Sequence, residues 1–238
     1  DKGVFMSAHI ILAVDTRDFD TAQKWVEATR ESVAVYKLGL EFFLTFGAEG
    51  VNKIKRDFEV DIFLDLKLHD IPNTVGMAAT AVGNINPRFL TVHASGGSSM
   101  IKAAVDAVPH IHITAVTILT SLSEEDLFAI GYANSALESA VALADLAVTA
   151  GAKAIVSSPL EIAAIRNAVG SEPIIITPGV RPQGMAGGDD QVRTMTPHAA
   201  ISAGANYVVI GRPITGAWSK GAASMRDAAR AIAAEITG

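Results

Sequence analysis

The sequence predicts an α/β fold of the (β/α)8 or TIM-barrel class, built as a single domain. Three observations carry that expectation. Eight short apolar runs recur at fairly even intervals, with helix-like stretches between them. Neither a linker nor a low-complexity tract interrupts the 238 residues, about the length that a closed barrel of this class uses for one domain. The segment after the first run, AVDTRDFD, lacks the glycine-rich fingerprint that an open, doubly wound nucleotide-binding sheet would need there.

The runs, in order, are HIILAVD (9–15), VAVYKLGL (33–40), DIFLDLKL (61–68), FLTVHA (89–94), HITAVTIL (112–119), AKAIVSS (152–158), PIIITPGV (173–180) and ANYVVIG (205–211). Each is short, rich in β-branched and aromatic residues, and flanked by a segment of different periodicity. Ala-rich stretches such as ALESAVALADLAVTAG (136–151) show the 3.6-residue repeat of a helix. Gly151 and Gly204 stand where helix C-caps are expected, and each opens a Gly–Ala step into the next strand. Strands alternating with helices imply parallel pairing through right-handed crossovers. The expected catalytic domain spans 1–238, with residues 1–8 as a peripheral N-terminal extension. Residues 1–5, before Met6, read as a remnant or as lying upstream of an alternative start.

Half of the residues are hydrophobic and 18% are charged, which suits strands buried on both faces. No apolar run approaches the roughly 18 residues of a membrane span, and the N-terminus lacks a signal-peptide core. A soluble, cytoplasmic protein is expected. Net charge is −6 with scattered lysines and arginines, so no basic face for nucleic acid is present. The absence of cysteine removes disulfides, thiolate metal sites and cysteine nucleophiles.

Against that background the third run is anomalous. Side chains alternate along a strand, so Phe63, Asp65 and Lys67 share one face, and Ile62, Leu64, Leu66 and Leu68 the other. The aliphatic set must face the helices, which turns Asp65 and Lys67 into the barrel near its carboxyl end, where such barrels hold their chemistry. Val33, Val35 and Lys37 repeat the device on the second strand, and the first strand ends in Asp15. A structural salt-bridge cluster would stabilise weakly, because desolvation offsets the attraction. A lysine–carboxylate array that holds charge against charge and delivers a proton is the functional reading.

A second constellation follows strands seven and eight: PGVRPQGMAGGDDQVR and IGRPIT. The usual phosphate site of this barrel is built from those two loops. Gly211 permits close backbone approach, Arg212 offers a bidentate donor, and the glycine-rich loop 181–191 has the composition of a lid. Thr120 and Ser121, in ILTS, are candidates for hydrogen bonding a substrate or for capping. His93 reads as a core histidine, His69 as structural, and no metal-ligand spacing stands out.

Taken together, DLKLHDIPNT, YKLG, ILTS, PGVRPQG and VIGRPIT resemble the orotidine 5′-monophosphate decarboxylase family, in order from Asp15 to Arg212. The resemblance implies cofactor-independent, metal-free decarboxylation of orotidine 5′-monophosphate to UMP, the last step of de novo pyrimidine nucleotide synthesis. It also implies a homodimer with active sites at the interface. Lys37, Asp65, Lys67 and Asp70 would form a charged tetrad in which Lys67 protonates pyrimidine C6. Asp70 and Thr74 would reach the neighbouring subunit's site. Asp15 and Lys37 would contact the ribose hydroxyls, Thr120 and Ser121 the pyrimidine. Arg181, Gln191 (or the nearby Gln183), Gly211 and Arg212 would hold the phosphate region. The related magnesium-dependent 3-keto-L-gulonate 6-phosphate decarboxylases and hexulose phosphate synthases share D-x-K-x-x-D. They carry an acidic residue where this chain has Lys37, and a lysine there disfavours a divalent cation. A catalytically silent nucleotide-binding barrel is the non-enzyme alternative, but such a protein would be expected to lack a tetrad member, and all four are present.

Overall fold

A computed structural model of the chain describes residues 9–182 and 195–237. The expected N-terminal extension, most of the glycine-rich loop, and both Gln183 and Gln191 lie outside the described residues. Eight parallel strands close a barrel in sequence order. They are β1 (Ile10–Ala13), β2 (Val35–Gly39), β3 (Asp61–Leu68), β4 (Phe89–His93), β5 (His112–Val116), β6 (Ala154–Val156), β7 (Ile174–Thr177) and β8 (Tyr207–Ile210). Each lies within the run read from the sequence.

The connecting helices include α1 (Phe19–Thr29), α2 (Leu40–Phe58), α3 (Pro72–Gly83), α4 (Ser98–Ala107), α5 (Glu124–Ala129) and α6 (Ala136–Thr149). They continue with α7 (Ile162–Val169), α8 (Pro197–Ser202), α9 (Arg212–Thr215) and α10 (Ala222–Thr237). α6 starts in a capping box, where Ser135 and Glu138 satisfy each other's backbone N–H groups. It stops before Gly151, whose φ of 100° is a conformation that side chains with a Cβ resist. Gly204 ends α8 in the same way at φ 113°.

Alternation along the strands divides the core in two. Ile62, Leu64, Leu90, Ile155 and Val208 belong to the layer between sheet and helices, whereas Ile11, Val35, Phe63, Phe89, Ala154 and Ile176 fill the barrel interior. Val33 departs from the expected parity. It precedes β2 and packs in the outer layer, because the chain is not yet extended there.

At the amino-terminal end of the strands the barrel is plugged. Phe89 contacts Phe63, His112 and Tyr207, with ring centroids 5.5–6.0 Å apart. The Arg88 guanidinium lies over Phe89 and Tyr207 and donates to the Tyr207 hydroxyl and to Asp61 at 3.0 Å each. That end is closed, and a cavity opens toward the carboxyl ends of the strands.

The β3–β4 ladder is irregular. Leu64 pairs with Leu90, yet the next pair is Leu68 with Val92, so β3 advances four residues while β4 advances two. Within this bulge Lys67 adopts φ 49°. Glu59 and Asn86, the other described non-glycine residues with positive φ, lie at a helix C-cap and in the loop after α3. Lys67 holds this conformation inside a strand.

Phe89 is the centre of the plug and has no exposed surface. Phe89→Ala is expected to destabilise the fold by about 3–5 kcal/mol, read as a lower urea midpoint with an unchanged m-value.

Candidate active site

The carboxyl ends of the strands surround a cavity of about 290 Å³. Asp15, just past β1, Lys37 on β2, and Asp65 and Lys67 on β3 form its charged side. Val116, Ile118 and Val156 form an apolar wall, and Arg181 and Gly211 stand with Pro178 and Gly179 where the chain leaves β7 and β8. Thr120 and Ser157 complete the side formed after β5 and β6.

The four charged groups alternate in sign. Lys37 Nζ lies 3.4 Å from Asp15 Oδ1 and 3.6 Å from Asp65 Oδ2. Lys67 Nζ donates to both Asp65 oxygens, at 2.8 and 2.9 Å. Gly39 makes room for this packing, since a Cβ there would stand 3.2 Å from Lys37 Nζ and 3.7 Å from Asp15 Oδ1. That is the local reason for glycine in YKLG.

Asp65 is buried, with 7% of its surface exposed. Burial alone would raise its pKa, but the charges of Lys37 and Lys67 outweigh it, helped by hydrogen bonds from Lys67 and Thr91. The net result holds the carboxyl below its ordinary range, so Asp65 is an anion at neutral pH. His93 is half-buried beside His69, with ring centroids 5.5 Å apart. Burial, His69 and Lys67 lower its pKa, which keeps the imidazole neutral.

Sequence reasoning missed two residues here. Thr91 is fully buried on β4; its hydroxyl accepts from the Lys67 backbone N–H at 2.8 Å and donates to Asp65 Oδ1 at 3.0 Å. The available signal was parity, because Phe89 points into the barrel and Thr91 follows two residues on. Ser157 lines the cavity, and its buried hydroxyl has no hydrogen-bond partner among the described residues.

Asp15, Lys37, Asp65, Lys67, Thr120, Arg181 and Gly211 are thus brought together around one cavity. Four other expected residues are not among those lining it. Asp70 is exposed in an open depression shared with His69, Ile71, Pro72, Ser95 and Gly96. Thr74 is exposed on the first turn of α3, and Ser121 is exposed just past Thr120. Arg212, the first residue of α9, is also exposed, directly after the cavity-lining Gly211. Among the described residues, no group of three or more His, Cys, Asp or Glu side chains is arranged to hold a metal ion. No described helix is long and apolar enough to cross a membrane.

This arrangement can bind an anion at the β7–β8 side while presenting an ammonium and a carboxylate to the far end of the same ligand. Known proteins resemble the chain in sequence and in fold. A relative named orotidine 5′-phosphate decarboxylase from Thermobifida fusca is 50% identical over 231 residues, covering 97% of each chain. One of the same name from Frankia casuarinae is 43% identical over 247 residues, covering 97% of this chain and 88% of the relative. The crystal structure of orotidine 5′-phosphate decarboxylase from Lactobacillus acidophilus superposes with a TM-score of 0.83 at 32% identity, over 97% of this chain and all of that one. The model of the Orotidine 5′-phosphate decarboxylase / HUMPS family matches residues 8–227, a span that contains every charged group of the cavity. With a family model matched over residues 8–227 and relatives up to 50% identical over nearly the full length, the chain belongs to that family.

Proposed function

We propose that the cavity decarboxylates orotidine 5′-monophosphate by charge placement alone, with Lys67 as the proton donor. The chain is an enzyme, a carboxy-lyase that converts this nucleotide to UMP in pyrimidine biosynthesis. The observation that carries the mechanistic reading is the buried Asp65 anion between two ammonium groups, both at the cavity.

Loss of carbon dioxide from pyrimidine C6 leaves a carbanion-like centre. The carboxylate leaves with its negative charge transferred to the ring, and a proton must then reach C6. Asp65 crowds the departing carboxylate, and the Lys67 ammonium lies where it offsets charge developing at C6 and then donates its proton. Asp15 and Lys37 hold the ribose hydroxyls. Thr120 and Ser121 meet the pyrimidine, while Arg181, Gly211, Arg212 and Gln191 hold the phosphate. Phosphate binding energy, remote from the bond broken, is used to assemble the site.

Asp70 and Thr74 complete the site of a second copy in a homodimer. Their exposure and their position off their own cavity support this reading. So do Ile71 and Met77, close to them in sequence, which leave well over half of their surface exposed. A biosynthetic role of this kind fits the cytoplasm.

The family also contains magnesium-dependent sugar-phosphate enzymes. Against that reading stands the Lys37 ammonium, which occupies the space between Asp15 and Asp65 that a divalent cation would need. Orotidine 5′-monophosphate in excess EDTA is expected to convert to UMP, followed by its ultraviolet change. No conversion, with activity on a keto-sugar phosphate once magnesium is added, would favour the rival.

Lys67→Ala is expected to lower kcat by at least about 10²–10⁴-fold while UMP still binds; retained turnover would remove the proton-donor assignment. Mixing inactive Lys67→Ala and Asp70→Asn proteins tests the dimer. Hybrids whose Asp70 acts across the interface regain about one quarter of the wild-type rate, because half of the dimers are mixed and one site in each is whole. Asp70 acting within its own subunit gives none. Finally, the depressed Asp65 pKa contributes stability that is present above the unfolded carboxylate value of about 3.9 and lost as pH falls through the folded value. Asp65→Asn should therefore show a shallower fall in thermal midpoint than wild type below about pH 4.

A further inference from the structure

We propose that Thr91 is a positioning residue for this reaction, its hydroxyl fixing the Lys67 backbone and the Asp65 carboxylate in the geometry that chemistry needs. The inference rests on the decarboxylase reading above. Thr91 is not among the residues lining the cavity, so it acts through its two partners.

The case begins with the broken ladder. Between the Leu64–Leu90 and Leu68–Val92 pairs, β3 carries more residues than β4 can match. A bulged backbone leaves N–H groups without ladder partners, and a buried orphan is costly because it has given up its bond to water. Thr91 lies on β4 between Leu90 and Val92, opposite that gap. Its hydroxyl accepts the Lys67 N–H at 2.8 Å, so a side chain replaces the missing ladder bond.

The same hydroxyl has one proton, and it goes to Asp65 Oδ1 at 3.0 Å. One side chain therefore ties the backbone of one charged residue to the carboxylate of the other. The φ of 49° at Lys67 carries steric strain for a residue with a Cβ. The benefit is local. Only two residues from Asp65, Lys67 folds back so that its ammonium meets both carboxylate oxygens. Without the hydroxyl, the bulge can relax toward ordinary pairing and Asp65 loses a donor from inside the barrel. Valine, nearly the same shape, supplies neither bond.

The experiment compares full-length wild type with Thr91→Val and Thr91→Ser, using steady-state turnover of orotidine 5′-monophosphate, UMP binding and thermal denaturation. A misplacement of about 1 Å at a reacting group can cost on the order of 10²-fold, so Thr91→Val is expected to lose about 10- to 100-fold in kcat. Its KM and UMP affinity should stay within about threefold, since nucleotide binding is carried elsewhere, and Thr91→Ser should recover most of kcat by restoring the hydroxyl. If Thr91→Val does not fold, Thr91→Ala against Thr91→Ser is read the same way. A kcat in the hydroxyl-free variant within twofold of wild type would overturn the proposal. So would equal losses in the serine and valine variants, or a fall in kcat matched by UMP affinity, the pattern of a merely structural role. A wild type that does not convert the nucleotide overturns the decarboxylase reading itself, before any variant is compared.

Discussion

The site depends on keeping one carboxylate ionised where water scarcely reaches. Asp65 is buried among strand ends, and desolvation of an isolated carboxylate in such a place would neutralise it. Two lysines and a threonine oppose that tendency from three directions: Lys37 from β2, Lys67 from its own strand, and Thr91 from β4. Much of the local structure follows from this demand. Gly39 clears space for the Lys37 ammonium, and a bulge in β3 turns Lys67 back toward the residue two positions earlier. The first keeps the sheet regular and the second departs from it, and each brings a charge closer to Asp65.

The barrel supplies the frame for these departures by being regular elsewhere. At the opposite end, Phe63, Phe89, His112 and Tyr207 pack edge and face, with Arg88 across two of the rings. That end is filled and tied, whereas the carboxyl end is left concave. Strain in the β3 bulge is thereby confined to a few residues whose neighbours are held on both sides. This division, a packed floor for stability and a rim of loops for chemistry, is the general logic of the fold.

Charge order also separates the chemistries open to this family. Two carboxylates facing one cavity could share a divalent cation, but here a covalently attached ammonium stands between them. Because the Lys37 side chain is covalently attached, holding it between the carboxylates requires no ion-binding equilibrium. Lys67 also lines the cavity, its ammonium bonded to both Asp65 oxygens. The Thr91 hydroxyl links that ammonium's backbone to the carboxylate, which makes the cluster one mechanical unit and not four independent side chains.

The sequence by itself determined the eight-strand alternation, the helix ends at Gly151 and Gly204, and the inward direction of Lys37 and Asp65. These are properties of chain segments a few residues long, set by side-chain parity and by the φ values that glycine permits. Tertiary structure decided what depends on partners distant in the chain. The bulge exists only because β3 must pair with β4, so neither the left-handed Lys67 nor the bridging role of Thr91 could be read from periodicity. Val33 falls outside the barrel interior because strand pairing, not local composition, sets where β2 begins. Ser121 and Arg212 stand next to cavity residues in sequence yet are exposed, because the chain turns at Thr120 and Gly211. Asp70 is the clearest case. Its place just past β3 was legible, but only the fold shows that it stands off its own cavity, where the backbone has left the barrel and turns into α3.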